Sequence, residues 1–154
     1  MNRPVVSGLI HGTSVALNTG HDHAGALIVG QPGSGKSELA LELMAMGARL
    51  VADDQTRLDL RDGRVLLSAP PVLRGVIEMR GVGLLRADPL DSAPLALVVD
   101  LDTAETERLP APRWQMVEGC RVPLLRKSAS RAFAAAIRQY LLAGPWHDSE
   151  PPQP

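Results

Sequence analysis

The sequence predicts an α/β domain in which short apolar strands are combined with helices and hairpins. The run Gly25–Val29 is almost wholly apolar and follows a loop, which is typical of a buried strand. Apolar residues then recur with helical spacing over positions 39–44, ahead of the helix-stopping Gly47. The pair Asp62-Gly63, between two stretches rich in Leu and Val, predicts a β-hairpin.

Length and composition limit the function classes. At 154 residues the chain is one domain by size. Aromatic residues make up only 3%, so we expect an aliphatic core and no stacking platform for nucleic-acid bases. The 16 basic and 17 acidic residues give a net charge of −1, which argues against non-specific nucleic-acid binding.

Cysteine usage and hydropathy predict the compartment. Cys120 stands alone, which rules out an internal disulfide and fits a reducing environment. No apolar run approaches the roughly 18 residues that a membrane-spanning helix needs. The N-terminus lacks the apolar core of a secretory signal. We therefore expect a cytoplasmic protein without a membrane partner.

The stretch Gly30–Ser37 fits the phosphate-binding P-loop pattern G-x-x-x-x-G-K-[S/T]. Its glycines let successive backbone N–H groups turn toward phosphate oxygens, next to the positive end of the following helix. Lys36 is expected to reach the β- and γ-phosphates of ATP, and the Ser37 hydroxyl to bind Mg²⁺. A glycine-rich turn before an ordinary helix is the plainer alternative, and the correct flanks on both sides disfavour it. The predicted phosphate-binding residues are Gly30, Gln31, Pro32, Gly33, Ser34, Gly35, Lys36 and Ser37.

The segment before the P-loop is predicted to be strand, tight turn and strand over positions 5–17, with the turn at His11-Gly12. Positions 18–24 form a loop that contains His21 and His23. A metal site at these two histidines lacks further ligands nearby, so a solvated loop is favoured.

Two predicted strand ends could supply an aspartate that binds Mg²⁺ or accepts a proton. A strand over 49–52 ends in Asp53-Asp54, one helix after the P-loop. A second apolar run, Leu95–Val99, ends in Asp100, which is also the usual shape of a magnesium-binding strand end. The pattern alone does not choose between them.

Further along, a strand beginning at Val76 places Glu78 and Arg80 on one face, and the glycines at 81 and 83 permit close backbone approach. A structural ion pair would explain Glu78 and Arg80 equally well.

Positions 103–122 read as a loop-rich or mobile segment whose arginines, Arg108, Arg113 and Arg121, are available to a phosphate. A helix over 131–142, capped by Ser130, is expected to end at Gly144-Pro145. Its inward residues should be Phe133, Ile137, Tyr140 and Leu141.

The order of motifs resembles the HPr kinase/phosphorylase family. It runs from His11-Gly through the P-loop and Asp53-Asp54 to Glu78-Met-Arg80-Gly-Val-Gly, and the last segment is the most specific. The resemblance covers positions 5–142 and only the C-terminal catalytic domain of the family. It implies a single P-loop kinase domain over 1–145, with a mixed sheet similar to phosphoenolpyruvate carboxykinase, and a disordered tail over 146–154.

The resemblance also implies an activity: transfer of the γ-phosphoryl group of ATP to a serine of HPr, the phosphocarrier protein of the sugar phosphotransferase system. Ser37 and Glu78 would hold Mg²⁺. One aspartate of the pair Asp53-Asp54, Asp54 on motif alignment, would accept the serine proton, and His11 would tune the pair. Arg108 matches an active-site arginine of the family. The same resemblance assigns Asp100 to a structural strand end, makes Arg80 and Arg126 accessory candidates, and suggests a homo-oligomer, a hexamer in many members.

One segment departs from the family. The family loop linked to phosphorolysis of phosphoserine-HPr is replaced here by Leu124–Ser130, which keeps the charge of Arg126 but has lost its Pro-Gly turn. The departure weighs against phosphorolysis and leaves the kinase prediction intact. Two alternatives stay open, namely a small-molecule P-loop kinase and a nucleotide-sensing module without catalysis.

Overall fold

A computed structural model describes residues 8–146, which form eleven β-strands, two α-helices and one short 3-10 helix. The strands are β1 (Gly8–His11), β2 (Thr13–Asn18), β3 (His23–Val29), β4 (Arg49–Ala52), β5 (Gln55–Arg61), β6 (Arg64–Ser68), β7 (Val76–Met79), β8 (Gly83–Arg86), β9 (Ser92–Ala104), β10 (Arg113–Val117) and β11 (Cys120–Lys127). The helices are α1 (Lys36–Ala45) and α2 (Phe133–Ala143), and the 3-10 helix covers Pro71–Leu73.

The main sheet is mixed, as the sequence predicts. Strand β9 lies parallel to β3 on one side and parallel to β11 on the other. The remaining pairs in this sheet are antiparallel, and the strand order is β1-β5-β6-β9-β3-β2-β4 with the β10–β11 hairpin attached to β9. Strands β7 and β8 form a separate two-stranded sheet. Because β3, β9 and β11 are parallel, their carboxyl ends meet at one edge of the sheet, where α/β proteins bind ligands.

The core has two layers because side chains alternate across the sheet. In β3, Ala26 and Ile28 pack into the cluster that contains both helices, whereas Leu27 between them packs into the cluster on the opposite face. The same alternation places Leu97 on the helical face and Val98 on the other. Both faces of the central strands are thereby buried, which explains their almost continuous apolar sequence.

The two helices cover one face of the sheet. The buried residues of α1 include the predicted Leu39, Ala40 and Leu43. In α2 the fully buried residues are Ala134, Ile137 and Leu141, while the predicted Phe133 and Tyr140 are only partly buried. Gly144 follows α2 directly with φ 77°, so the predicted stop is confirmed. Burial raises the pKa of the Tyr140 hydroxyl.

The hairpin predicted at Asp62-Gly63 is confirmed. Strands β5 and β6 pair antiparallel, and both turn residues have positive φ, 52° and 75°.

The turn predicted at His11-Gly12 is wrong in its pairing. Both flanking strands exist, but β1 pairs with β5 and β2 pairs with β3 and β4. The backbone N–H of Gly12 donates to the carbonyl of Asp54, and a Cβ on Gly12 would lie 3.0 Å from the carbonyl oxygen of Ile28. Gly12 therefore separates two consecutive strands that pair with different partners, and a glycine is needed there because the chain passes close to the backbone of β3.

The prediction of a loop-rich segment over 103–122 is wrong for most of its length. Strand β9 continues to Ala104, and β10 and β11 form a hairpin whose turn residues Glu118 and Gly119 both have positive φ. The sequence pattern did not predict this hairpin, because proline within or beside a segment argues against a strand. Pro110 and Pro112 lie just before the hairpin, and Pro123 lies within β11. The irregular part shrinks to positions 105–112.

Residues 147–154, which include most of the predicted disordered tail, lie outside the described residues. Between residues 8 and 146, neither helix has the length and apolar character to cross a membrane.

We predict that Leu97→Ala lowers the free energy of unfolding by about 2–5 kcal/mol, because truncating a fully buried leucine loses apolar contacts and leaves a cavity. Urea denaturation followed by circular dichroism measures the change. Leu60→Ala is the matched control: Leu60 is 52% exposed on β5, and its truncation should cost no more than about 0.5 kcal/mol. Equal losses for the two variants would contradict the assignment of β9 to the centre of the core.

Candidate functional site

The P-loop connects the carboxyl end of β3 to α1, as the motif predicts. Gly33 and Gly35 adopt φ 85° and 99°, a conformation that other residues rarely adopt, and α1 begins directly at Lys36. Gly30 is required by space, because a Cβ there would lie 2.4 Å from Ser34 Oγ. The loop therefore wraps toward the N-terminus of a ten-residue helix, the arrangement that binds phosphate through backbone N–H groups.

Lys36 is held inside the P-loop. Its side chain is 7% exposed, and its ammonium donates to the carbonyl oxygens of Gly30, at 2.8 Å, and Gln31, at 3.0 Å. An ammonium has three hydrogens, so these contacts leave donor capacity for an anion in the loop. The positive charge is thus already positioned where phosphate oxygens would lie.

Asp53 connects three parts of the site. The residue is 6% exposed, and its carboxylate accepts hydrogen bonds from Thr13 Oγ1 at 3.0 Å, Ser37 Oγ at 2.7 Å and the backbone N–H of Glu78 at 2.9 Å. The three donors belong to β2, α1 and β7 respectively. One buried carboxylate therefore fixes the P-loop helix, strand β2 and strand β7 relative to one another.

Asp54 points the other way and is exposed. Its φ of 67° is left-handed, a conformation that aspartate tolerates better than most residues. Its backbone N–H donates to Thr13 Oγ1 at 3.2 Å, and its carboxylate lies 3.3 Å from His11 Nδ1. The side chains of His11 and Asp54 are 48% and 62% exposed. The reversal between two adjacent aspartates thus leaves one carboxylate as an internal acceptor and presents the other to solvent beside a histidine.

The hairpin β7–β8 closes the site from the side of Glu78. Strand β7 ends at Met79, so Arg80 lies in the turn rather than in the strand as predicted. Gly81 and Gly83 have φ 84° and 125°, which explains why this turn needs glycine at both places. Glu78 and Arg80 both border the cleft, as does Met79 between them, so the predicted common strand face does not describe this turn.

These elements enclose one cleft of about 200 Å³. Its walls combine the P-loop, the His11–Asp54 pair and the β7 hairpin. The lining residues are His11, Thr13, Pro32, Gly33, Gly35, Lys36, Ser37, Glu38, Asp54, Glu78, Met79 and Arg80.

Two predicted residues lie away from this cleft. Arg108 is exposed in the segment 105–112 and does not line it. Arg126 lies near the end of β11, in register with Asp100 of β9, and does not line it either.

The other two arginines singled out with Arg108 already have partners. Arg113 pairs with Glu105 at 3.1 Å, and Arg121 lies over the ring of Trp114 with its guanidinium carbon 5.2 Å from the ring centroid. The hydrogen bond from Arg113, with a further one from the backbone of Glu107, lowers the pKa of the Glu105 carboxyl.

The loop predicted over 18–24 is shorter than expected, because β2 ends at Asn18 and β3 begins at His23; the turn between them, which contains His21, lies away from the site. Its Asp22 accepts from the backbone N–H of His23 and pairs with Arg64 at 3.0 Å, and both contacts lower the pKa of Asp22.

The structure distinguishes the two candidate strand-end aspartates. Asp53 accepts the hydrogen bond of Ser37, which is the contact expected of a magnesium-site aspartate. Asp100 lies opposite Val29 in β3, and its carboxylate accepts from the backbone N–H of Asp102 at 2.8 Å. Asp102 in turn accepts from the backbone N–H of Gln31 at 2.9 Å. The pair Asp100–Asp102 therefore stabilises the first turn of the P-loop from the neighbouring strand.

Two residues of the site were missed from the sequence. Thr13 serves Asp53 and Asp54 simultaneously, and Asp102 anchors the P-loop. The only signal for Thr13 is its position two residues after His11, and Asp102 follows Asp100 by two. Both act through contacts between residues 40 to 71 positions apart, which no local pattern reveals.

Comparison with known proteins identifies relatives of this arrangement. A family model described as the HPr Serine kinase C-terminal domain matches residues 7–108. The HPr kinase/phosphorylase of Limosilactobacillus reuteri is 37% identical over 102 residues, 61% of this chain and 31% of the relative. That of Xanthomonas campestris pv. campestris is 42% identical over 99 residues, 56% of this chain and 30% of the relative. The chain therefore spans about a third of the length of these curated relatives.

Among solved structures, the Hpr(Ser) kinase/phosphatase from Coxiella burnetii superimposes with a TM-score of 0.69 and covers 87% of both chains. Its sequence is 22% identical, so this likeness bears on the fold alone. It confirms the predicted α/β fold with a mixed sheet.

We predict that Asp53→Asn lowers the free energy of unfolding by about 1–3 kcal/mol, because the amide nitrogen would face a donor and leave one buried hydrogen bond unmade. Asp54→Asn is the control: this side chain is exposed and asparagine tolerates positive φ, so the change should stay within about 0.5 kcal/mol. Urea denaturation of both variants measures the difference. A larger loss for Asp54→Asn than for Asp53→Asn would contradict the role given to Asp53.

Proposed function

Because the chain belongs to the HPr serine kinase C-terminal domain family, we propose that it is an ATP- and Mg²⁺-dependent protein serine kinase whose substrate is HPr or an HPr-like phosphocarrier. The observation that supports this most is the arrangement around Asp53. Its carboxylate joins the P-loop serine to the Glu78 segment, next to an exposed aspartate–histidine pair. Phosphoryl transfer requires these three functions, namely phosphate binding, charge neutralisation and orientation of a nucleophile, in one cleft.

The P-loop binds the phosphates of ATP in this proposal. The backbone N–H groups at the start of α1 face the phosphate oxygens, reinforced by the positive end of that helix, while the N–H of Ser34 keeps its hydrogen bond to the carbonyl of Gln31. Lys36 exchanges its two contacts with loop carbonyls for contacts with the β- and γ-phosphates. This exchange costs little because a carbonyl is a weaker partner for an ammonium than a phosphate oxygen.

The residues near Lys36 suit a magnesium ion. Mg²⁺ is usually held by one or two protein oxygens together with substrate phosphates, and it neutralises charge that develops on the transferred group. The hydroxyl hydrogen of Ser37 is already donated to Asp53, so the lone pairs of Ser37 Oγ remain free for a cation. The exposed Glu78 carboxylate borders the same cleft. Ser37 and Glu78 would hold the ion.

Asp54 is the proposed general base. The hydroxyl oxygen of the acceptor serine attacks the γ-phosphorus, its proton passes to the Asp54 carboxylate, and the bond from the γ-phosphorus to the β–γ bridging oxygen breaks, which leaves ADP. His11 orients the Asp54 carboxylate through their 3.3 Å contact. Asp53 is unsuited to this step because its buried carboxylate already accepts three hydrogen bonds.

The three candidate arginines differ in how close they lie to the cleft. Arg80 borders the cleft and adds positive charge near the transferred group. Arg108 can contribute only if the segment 105–112 or the bound acceptor protein brings its side chain to the cleft. Arg126 lies outside the cleft, near the end of β11 and in register with Asp100, so we assign it an accessory role only.

We predict that the wild-type protein transfers labelled phosphate from ATP to a serine of HPr in the presence of Mg²⁺. Asp54→Asn should reduce the transfer rate by about 10²–10⁴-fold, the usual contribution of a general base, while ATP binding persists. Lys36→Ala should abolish transfer and weaken ATP binding together. The measurement is single-turnover transfer, with nucleotide affinity determined by calorimetry.

Arg61→Ala serves as the control for both variants, because Arg61 is exposed at the end of strand β5 and outside the cleft. Tight ATP binding without label on HPr would overturn the kinase proposal and favour a nucleotide sensor.

If HPr is labelled, the addition of inorganic phosphate to the labelled protein tests phosphorolysis. We expect the label to remain on HPr.

A further inference from the structure

A second cleft lies against the P-loop on the side of helix α2. It is bordered by the P-loop and the first turns of α1 on one side, and by the end of β11 and the start of α2 on the other. The lining residues on the first side are Ser34, Gly35, Glu38, Leu39 and Glu42, and on the second Leu101, Lys127, Ser128, Ser130, Arg131, Phe133 and Ala134.

This second cleft has an apolar floor and a charged rim. Leu39, Leu101 and Ala134 form the buried floor, and the half-buried Phe133 stands at its edge. The rim carries the exposed cations Lys127 and Arg131 and, on the α1 side, exposed carboxylates. A buried apolar floor beside an aromatic ring, with charged and polar groups around it, can accept the flat ring of a heteroaromatic ligand. The first cleft, in contrast, is lined mainly by polar groups and backbone.

The loop that carries these residues is held in shape by its own serines. Ser128 Oγ accepts from the backbone N–H of Ser130, Ser130 Oγ accepts from the N–H of Ala132, and the N–H of Phe133 donates to the carbonyl of Ser130. These bonds fix the start of α2, and with it the position of Phe133, against the P-loop helix.

The two clefts adjoin at the first turn of α1, where Gly35 and Glu38 line both of them. At the same place the Ser34 hydroxyl is buried and packs against Gly30, where a Cβ would lie 2.4 Å from Ser34 Oγ, so it shapes the loop that separates the two clefts.

Size supports a ligand that spans both clefts. They measure about 200 and about 260 Å³, each below the roughly 300–1,000 Å³ of pockets that hold a drug-sized ligand. A triphosphate bound with its terminal phosphate beside Ser37 and Glu78 fills the first cleft. The rest of a nucleotide can then leave past Gly35 and Glu38, which border both clefts.

We propose that the second cleft is the nucleoside site of the bound nucleotide. The base packs against Phe133 above the floor of Leu39 and Leu101, Arg131 lies beside the ribose, and Lys127 lies beside the α-phosphate. This assignment rests on the proposed function in that it takes a nucleoside triphosphate as the ligand of the P-loop. It implies that the segment 127–133, whose first four residues belong to the stretch Leu124–Ser130 that departs from the family loop, sets the affinity for the nucleoside.

The test compares two ligands that share phosphates and differ in the nucleoside. Affinities of ATP and of inorganic tripolyphosphate, each with Mg²⁺, are measured by calorimetry for the wild type, Phe133→Leu and Arg131→Ala. Phe133→Leu keeps apolar volume at a partly buried position and removes only the ring. We expect it to weaken ATP binding by about tenfold, within the range for loss of base stacking on an aromatic side chain, and to leave tripolyphosphate binding unchanged.

Arg131→Ala should also weaken ATP more than tripolyphosphate, and Arg61→Ala, an exposed arginine on β5, should change neither. Thermal unfolding of each variant checks that the fold is retained. Equal weakening of both ligands, or no change for ATP in Phe133→Leu and Arg131→Ala, would overturn the nucleoside site. Selective loss of ATP binding in a protein that does not phosphorylate HPr would support this site while the kinase proposal fails.

Discussion

The carboxylate of Asp53 is the contact on which the site depends. It is buried, and it is stabilised there by three hydrogen bonds from three different elements, which offset the cost of removing a charge from water. Each of the three donors belongs to a different part of the site. Ser37 lies in the P-loop and Glu78 in the β7 hairpin, and Thr13 also accepts a hydrogen bond from the backbone N–H of Asp54. Loss of this one acceptor would therefore loosen phosphate binding, the proposed metal site and the proposed base together.

The sheet supplies the frame for this contact. Strands β3 and β9 run parallel, so the P-loop and the pair Asp100–Asp102 emerge side by side, and Asp102 reaches the backbone of Gln31. Strand β2 runs antiparallel beside β3 and brings Thr13 to the same edge. The site is therefore supported from two neighbouring strands, one of each orientation, and this explains why a mixed sheet suits it.

The surface around α1 separates into two environments. On one side lie the polar cleft, the Asp54–His11 pair and the turn with Arg80, where an acceptor side chain would react. On the other side lie the apolar floor and the serine-fixed loop before α2. Residues 128–133 belong to this second environment, outside the span matched by the family model, which ends at residue 108.

The sequence by itself determined the P-loop, its helix and the hairpin at Asp62-Gly63, because each has a local signature in glycine placement or periodicity. The grouping of His11, Asp54, Glu78 and Arg80 followed only from the resemblance to the HPr kinase/phosphorylase family. Tertiary structure decided what local patterns do not encode. It divided the two aspartates into a buried acceptor and an exposed one, through the positive φ of Asp54, and it placed Thr13 and Asp102 in the site across long sequence separations. It also turned most of the proline-flanked stretch 103–122 into paired strands, since β10 gains its hydrogen bonds from β11, and β11 from β9.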